Sequence, residues 1–542
     1  MTLPGNVRRA PIVAALLIGA IVAILNQTLI SVALPKMMSD LNVDANIAQW
    51  LSTGFMLVNG VLIPVTAFLI ARFSTRKLFI SAMTIFSIGT LLCAIAPSFS
   101  ILLIGRLIQA AGAGIMMPLM MVVILNIYPI ERRGRAMGTL GLAMGFAPAI
   151  GPTLSGYIVQ HYDWRVLFWI ILPISVISIV IGFIFLKNVT EQSKPKLDIL
   201  SVILSTLGFG GLLYGFSDAG TSGWGSIPVV STLIVGTIAL ILFIVRQLKV
   251  DEPMLEFRIF KYDVYSLTTI INVIVTMALY AGMILLPIYL QNIRGFTPLQ
   301  SGMLMLPGAI LMGVMSPVTG AIFDRIGARW LSVIGLLIMT VTTWEFTRLT
   351  ESTTYMTLLI NYTVRMFGMS LLMMPIQTAG LNQLPQRLNA HGTAMGNTLR
   401  MISGSIGTAI LVTVMSTQTS NRLTTMVASE GLNVTDKAGM LAASNQATIY
   451  GINSAFIIAT LLSVTALVLA FFYQKYECTK RSCPSTAGEQ REGEDHGFLI
   501  ISMDTFSFDF CAKREPALHV CLHAVRVLCG KSTQLSEAII VS

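Results

Sequence analysis

The chain has 542 residues, of which 54% are hydrophobic and 11% charged. A soluble chain carries roughly 25% charged residues, so the composition excludes a soluble globular protein and points to a polytopic membrane protein. A net charge of +10 would suit a nucleic-acid binder, but the basic residues sit in short loops between apolar runs. The bias of basic loops toward the cytoplasmic face explains them without any nucleic acid.

Runs of about 20 apolar residues are the unit to count, and their punctuation divides the chain into fourteen spans. The first eight are Ile12–Leu34, Gln49–Ala71, Leu78–Ala96, Ile101–Ile127, Ala136–Gln160, Val166–Leu186, Leu197–Ala219 and Ile227–Val245. Six more follow at Ser266–Gln291, Leu299–Ile322, Trp330–Phe346, Thr353–Gln377, Gly392–Ser416 and Ile449–Tyr473. No small-residue cleavage site follows the first span, so it reads as a retained helix. Basic residues gather before span one (Arg8, Arg9) and after spans two (Arg72, Arg76, Lys77), four (Arg132, Arg133, Arg135), six (Lys187, Lys194, Lys196) and eight (Arg246, Lys249, Arg258, Lys261). That bias predicts both termini in the cytoplasm and makes Thr417–Thr448 the longest external loop.

Span five is unusual. Gly141, Gly145, Pro148, Gly151, Pro152 and Gly156 fall within one apolar stretch. Glycine costs about 1 kcal/mol and proline about 3 kcal/mol against alanine in a helix interior. Such residues survive in a membrane where neighbouring helices pack close and re-satisfy freed backbone groups. The span therefore predicts a bent helix with a smooth face, built to rest or slide against a partner.

Three features recur at an offset of about 255 residues, the kind of internal repeat that marks transporters. Gly134-Arg-Ala-Met-Gly138 opens span five and Gly392-Thr-Ala-Met-Gly396 opens span thirteen. Arg106 leads to Met117-Pro118, and Arg365 to Met374-Pro375. The loop Arg72-Phe-Ser-Thr-Arg76-Lys77 answers Asp324-Arg325-Ile-Gly327-Ala-Arg329. The repeat predicts an N-terminal six-helix half (1–190), an extra central pair (191–250) and a C-terminal six-helix half (251–475).

These residues resemble the major facilitator superfamily, and within it the fourteen-helix drug:proton antiporter group (EmrB/QacA type, close to lincomycin-resistance exporters). Gly320 through Arg329 is similar to the superfamily's Gly-x-x-x-Asp-Arg-x-Gly-x-Arg loop, and Leu103 through Gly114, around Arg106 and Gln109, to its span-four signature. Gly151-Pro152-Thr-Leu-Ser-Gly156 resembles the antiporter signature, with Ser155 where a second Gly is usual. Leu25-Asn26-Gln27-Thr28 through Pro35 and Asp163-Trp164-Arg165 are similar to the group's span-one and span five–six signatures. The resemblance implies an all-α major facilitator fold with alternating access. It further implies export of small amphipathic compounds in exchange for protons, in the plasma membrane, as a monomer and without a cofactor. An exporter of one solute, a tetracycline-type exchanger, or an uncoupled lipid-handling or interaction protein of the same fold stay open as alternatives.

An ionisable residue inside a span is costly and is a functional candidate by default. Arg106, Arg365 and Arg400 qualify, with Asn26, Gln27, Thr28 and Gln109 as polar companions in a proton relay or cavity. Arg106 lies near enough to a boundary to snorkel; Arg365 lies near the midplane and must face the interior. The resemblance assigns Arg106 to the proton relay. In the loop signature, Asp324 can meet the positive end of the following helix and pair with Arg325 or Arg329. This predicts a gating latch of Arg72, Gly320, Asp324, Arg325, Gly327 and Arg329. The first-half copy has Ala71 where the family pattern has Asp, so the acid of the latch is Asp324.

The group usually carries an Asp where this chain has Asn26, and no acid falls near the middle of a span. Asp218, Glu345, Asp163 and Asp324 are the candidates to carry a proton. With three buried arginines and no midplane carboxylate, the chain is expected to export neutral or weakly anionic amphiphiles better than dications. Asn26→Asp is expected to improve recognition of lipophilic cations. No P-loop, nucleophile elbow or His–Glu zinc helix occurs, so transport should draw on an ion gradient or be passive. After Tyr476 the composition changes, and Cys478, Cys483, Cys511, Cys521 and Cys529 cluster in an atypical segment (476–542) expected to be a disordered, dispensable cytoplasmic tail. His519 and His523 there lack the spacing of a zinc module.

Overall fold

A computed structural model of the chain describes residues 9–43, 45–189, 192, 198–430 and 437–481. Outside that set lie Arg8, Lys194, Lys196 and residues 482–542, with the cysteines at 483, 511, 521 and 529. Of Cys478, Pro148 and Pro152, the helical backbone is described and the side chain is not.

Fourteen long helices make up the described chain. The first seven are α1 (Arg9–Leu41), α2 (Trp50–Arg72), α3 (Thr75–Ala94), α4 (Phe99–Ile127), α5 (Arg133–His161), α6 (Val166–Phe185) and α7 (Ile199–Ser222). The other seven are α8 (Ile227–Lys249), α9 (Asp263–Ile288), α10 (Pro298–Ile326), α11 (Ala328–Glu345), α12 (Tyr355–Asn382), α13 (Asn389–Glu430) and α14 (Lys437–Arg481). All but α5 are long and apolar enough, over their described residues, to cross a membrane; α5 has 29 residues, as long as its neighbours.

Apolar side chains sort the helices into layers. Residues of α1–α6 share one core, built around Leu16, Phe79, Phe86, Met120 and Phe168. Residues of α9–α14 form two adjoining cores, one around Leu285, Phe346 and Phe456 and one around Ile271, Met339 and Leu372. The pair α7–α8 joins α2 and α13 in a further cluster through Phe209, Leu213 and Phe243. Gly211 and Gly236 let α7 and α8 approach backbone to backbone, with an added Cβ on Gly211 meeting the Cα of Gly236 at 2.9 Å. An ion pair clamps one end of the pair: Arg246 donates to Asp198 at 2.6 and 3.0 Å. Gln247 donates to Ser201 at 2.6 Å beside it. This pairing holds the Asp198 carboxyl well below its ordinary 3.8, at about 2. Outward faces stay apolar, as lipid requires: Phe183, Ile184, Ile227 and Ile241 are all exposed.

Two boundaries differ from the sequence reading. The apolar runs end at Ser416 and resume at Ile449, yet α13 continues to Glu430 and α14 begins at Lys437. Forty-two residues at about 1.5 Å each make α13 about 63 Å long, twice the roughly 30 Å hydrocarbon core. The expected long loop is thus mostly a polar helical hairpin standing clear of the membrane. Hydropathy misses it because its helices carry Thr, Ser, Asn and Gln. Two local contacts secure its base: Arg422 lies over the Tyr450 ring, and Met426, Ala443 and Ala447 are buried.

Candidate functional site

The end of the bundle that carries the basic loops is closed by α5 and α10. Gly134, Gly138, Gly141 and Gly145 form one stripe of α5 against α10. An added Cβ on Gly138 would meet the Cα of Pro317 at 2.8 Å, and one on Gly145 the Cα of Gly313 at 2.7 Å. Only glycine admits this approach. The last turns of α5 rest instead on α1, where buried Ser155 donates to the Leu29 carbonyl at 2.6 Å and Gly151 abuts Thr28. Gly156 is buried next to them. The smooth face read from the sequence therefore serves two partners, one in each half. The serine that replaces a glycine supplies a hydrogen bond.

Asp324 lies at the tip of this seam. Its carboxylate accepts the Gly134 N–H at 2.7 Å and the Arg135 N–H at 2.9 Å, so it caps the N-terminus of α5. Here the structure departs from the expected partners. The following helix α11 does not receive this carboxylate: Gly327, at φ 82°, separates α10 from α11, and Asp324, still within α10, bonds to α5. Among the described residues neither Arg325 nor Arg329 forms an ion pair with it: Arg325 is exposed, and Arg329 lies over the Trp330 ring. Gly320 touches the Gly134 backbone, and Arg72 is exposed at the end of α2. A second tie crosses the same end, with Arg133 donating to Asn382 at 3.0 Å. Charge-assisted bonds to a helix N-terminus are among the stronger polar contacts.

The three arginines stand in three different environments. Arg106 is 1% exposed and does not snorkel. Its Nε donates to the Leu51 carbonyl at 3.3 Å, and its Nη1 to Asn26 Oδ1 and, at 2.9 Å, to Gln109 Oε1. Gln109 donates onward to Thr90 at 2.8 Å, and the Phe55 ring lies 4.3 Å from the guanidinium carbon. Residues of four helices thus surround one cation with dipoles and a ring, and no acid among the described residues pairs with it. Arg365, wholly buried, ties α12 to α9 and α11: Nη2 donates to the Ala278 carbonyl at 2.7 Å and Nε to Thr343 at 3.3 Å. Its Nη1 packs against Gly282 without a hydrogen-bond partner. Arg400 on α13 also has a buried, unpartnered Nη1, but it lines a cavity shared with Asn272, Gln377, Gly396, Tyr265 and Thr269. Gln27 and Thr28 are half-buried on α1; Thr28 bonds back to Leu25 and across to Ala147 of α5.

Among the described residues the acids form no ion pair with Arg106, Arg365 or Arg400. Asp163 is exposed and paired with Arg165, Glu345 is exposed at the end of α11, and Asp218 is half-buried near the end of α7. Sequence reasoning missed Phe55, Thr90, Gly282, Thr343 and the carbonyls of Leu51 and Ala278. Only the helix-by-helix repeat hinted that Arg106 and Arg365 would stitch equivalent places. No group of His, Cys, Asp and Glu among the described residues is arranged to hold a metal ion.

Comparison with known proteins settles the family. The Major Facilitator Superfamily matches residues 16–408. This chain belongs to that superfamily. It is 52% identical over 485 residues to an uncharacterised transporter of the superfamily, YhcA of Bacillus subtilis, covering 84% of this chain and 91% of that one. It is 44% identical over 467 residues to the lincomycin resistance protein LmrB of the same organism, covering 86% and 96%. The multidrug export protein EmrB of Haemophilus influenzae is 28% identical over 399 residues, 73% and 78% of the two chains. Among solved structures, the human organic anion transporter MFSD10 superposes with a TM-score of 0.57 at 14% identity, covering 86% of this chain and all of that one. The chain is therefore a multi-pass membrane transporter of the major facilitator fold, two six-helix halves with an extra helical pair, α7–α8.

Proposed function

We propose that this transporter exports small amphipathic compounds by proton-coupled antiport through alternating access, as a monomer in the plasma membrane with both ends of the described chain in the cytoplasm. The observation that carries the reading is the α5–α10 seam. It is a glycine-lined, backbone-close contact between the halves, held at its tip by one carboxylate on a helix N-terminus. Such a contact has two discrete states, closed when the charge meets the helix end and open when it does not, and alternating access requires an element of that kind. Protonation of Asp324 removes the charge that binds α5. It is therefore the acid best placed, of the four considered, to link proton occupancy to opening. The basic loops sit at this end, which supports the cytoplasmic assignment. Relatives named for lincomycin resistance and multidrug export support the substrate class.

The test is reconstitution of the full chain in liposomes loaded with a pH-sensitive dye. Adding lincomycin under a proton gradient should move protons in a drug-dependent way, and an ionophore should abolish the signal. Drug movement that ignores the gradient would overturn antiport.

A further inference from the structure

We propose that the cavity at Arg400 is a subsite for the anionic head group, specifically a carboxylate, of an exported compound. This inference rests on the exporter reading and names the chemistry of one part of its binding region.

Of the three interior arginines, only Arg400 is available. Arg106 spends its donors on Asn26, Gln109 and a carbonyl, and a ring covers its face. Arg365 has one free donor, but the backbone of Gly282 closes over it. Arg400 makes no side-chain hydrogen bond among the described residues, its Nη1 is out of contact with solvent, and it borders open space. The one ionisable group acting on it is Tyr280. Arg400 is half-buried as a residue, and a guanidinium nitrogen buried without a partner is costly unless something fills the place of its counter-charge.

The rest of the lining matches a carboxylate with a neighbouring donor. Asn272 lines the same cavity as Arg400 and makes no side-chain hydrogen bond among the described residues, so its amide is free to donate. Buried Gln377 donates to Met121 Sδ at 3.5 Å, which leaves its Oε1 without a partner. The cavity thus presents a cation and an amide donor for the two carboxylate oxygens, and an acceptor for a hydroxyl or amide on the same compound. The Gly396 side of the cavity is open: a Cβ added there would meet no atom within 4 Å. Arg400 lies eleven residues into α13, about 16 Å from its start. The subsite therefore lies at about the depth that the α5–α10 seam reaches at Gly145, where a compound loaded from the cytoplasm would be held.

The experiment compares binding of 1-naphthoate and its neutral amide, 1-naphthamide, to the purified full chain, read by naphthyl fluorescence polarisation. The wild-type chain should bind naphthoate at least about tenfold tighter than naphthamide. Arg400→Gln should erase that ratio, and Arg400→Lys should keep part of it. Gly396→Val should weaken naphthoate by narrowing the cavity, since the Cβ position at Gly396 is open. Equal binding of the two probes by wild type, absence of naphthoate binding, or a ratio that survives both Arg400→Gln and Gly396→Val would each overturn the subsite. Lincomycin-driven proton movement on the same preparation separates the two readings. Coupling with no naphthoate preference sinks the subsite alone, and preference without coupling sinks the exporter reading alone.

Discussion

Arg106 and Asn26 face each other directly, and this changes what the missing acid means. An acid at position 26 looks, from the sequence, like a free charge that could attract cationic compounds. In the folded chain Asn26 accepts from Arg106, so a carboxylate introduced there would be consumed by the guanidinium. We expect Asn26→Asp to raise the melting temperature by a few degrees while leaving export of divalent cations as poor as before. Melting of the purified variant and uptake into inverted vesicles check both halves of the statement. Arg365 is also a structural tie: it joins α12 to α9 and α11, so Arg365→Ala leaves a cavity and removes both ties. Large truncations of this kind cost about 2–5 kcal/mol, so loss of stability should accompany loss of export, with Arg365→Lys milder in both. The residue types were legible in the sequence as buried charges. Their partners were not, because two of the five hydrogen-bond partners of Arg106 and Arg365 are backbone carbonyls, which no side-chain pattern announces.

At the scale of elements, the α5–α10 seam makes the sharpest predictions. Gly138→Val or Gly145→Val inserts atoms where backbone already stands within 3 Å. Either variant should fold and then stay open at the basic end, with transport lost. Cysteine labelling from the cytoplasmic side should rise in both; unchanged labelling would mean that the seam does not part. Asp324→Asn keeps the shape of the side chain but weakens its hold on the α5 N-terminus. It should shift labelling the same way, slow transport several-fold, and leave the range of compounds unchanged. The α7–α8 clamp makes a pH prediction. Asp198 has its carboxyl depressed from 3.8 to about 2 by Arg246. The clamp's contribution is therefore complete above about pH 5 and fades as pH falls through 3.8 toward 2. Asp198→Asn should lower the melting temperature by about 1–3 °C at pH 7, with the gap to wild type constant down to pH 5 and narrowing below pH 4.

For the whole molecule, Arg400 is the one of the three arginines that borders the cavity, and no ion pair among the described residues offsets it, so the cavity carries positive charge. Neutral compounds and weak acids should be exported, and dicationic antiseptics should not. Vigorous export of a divalent dye by the wild-type chain would show that Asp218 or Glu345 reaches the path in another state. Fourteen helices were readable in advance because a bilayer demands long apolar runs. Span five was readable as an interface because glycine is tolerated only where something packs on it. The helical hairpin of α13 and α14 was not readable, since nothing apolar marks it.

That hairpin has a practical consequence. Transporters of this size offer an electron microscope little beyond a smooth detergent or lipid disc, and particle images then lack a direction. Here two helices that also belong to the C-terminal half rise together from one face of the disc. They act as a built-in fiducial: their position should fix the azimuth of each particle. Their tilt between two imaged populations would report directly how far that half rotates, without an antibody fragment bound to the surface.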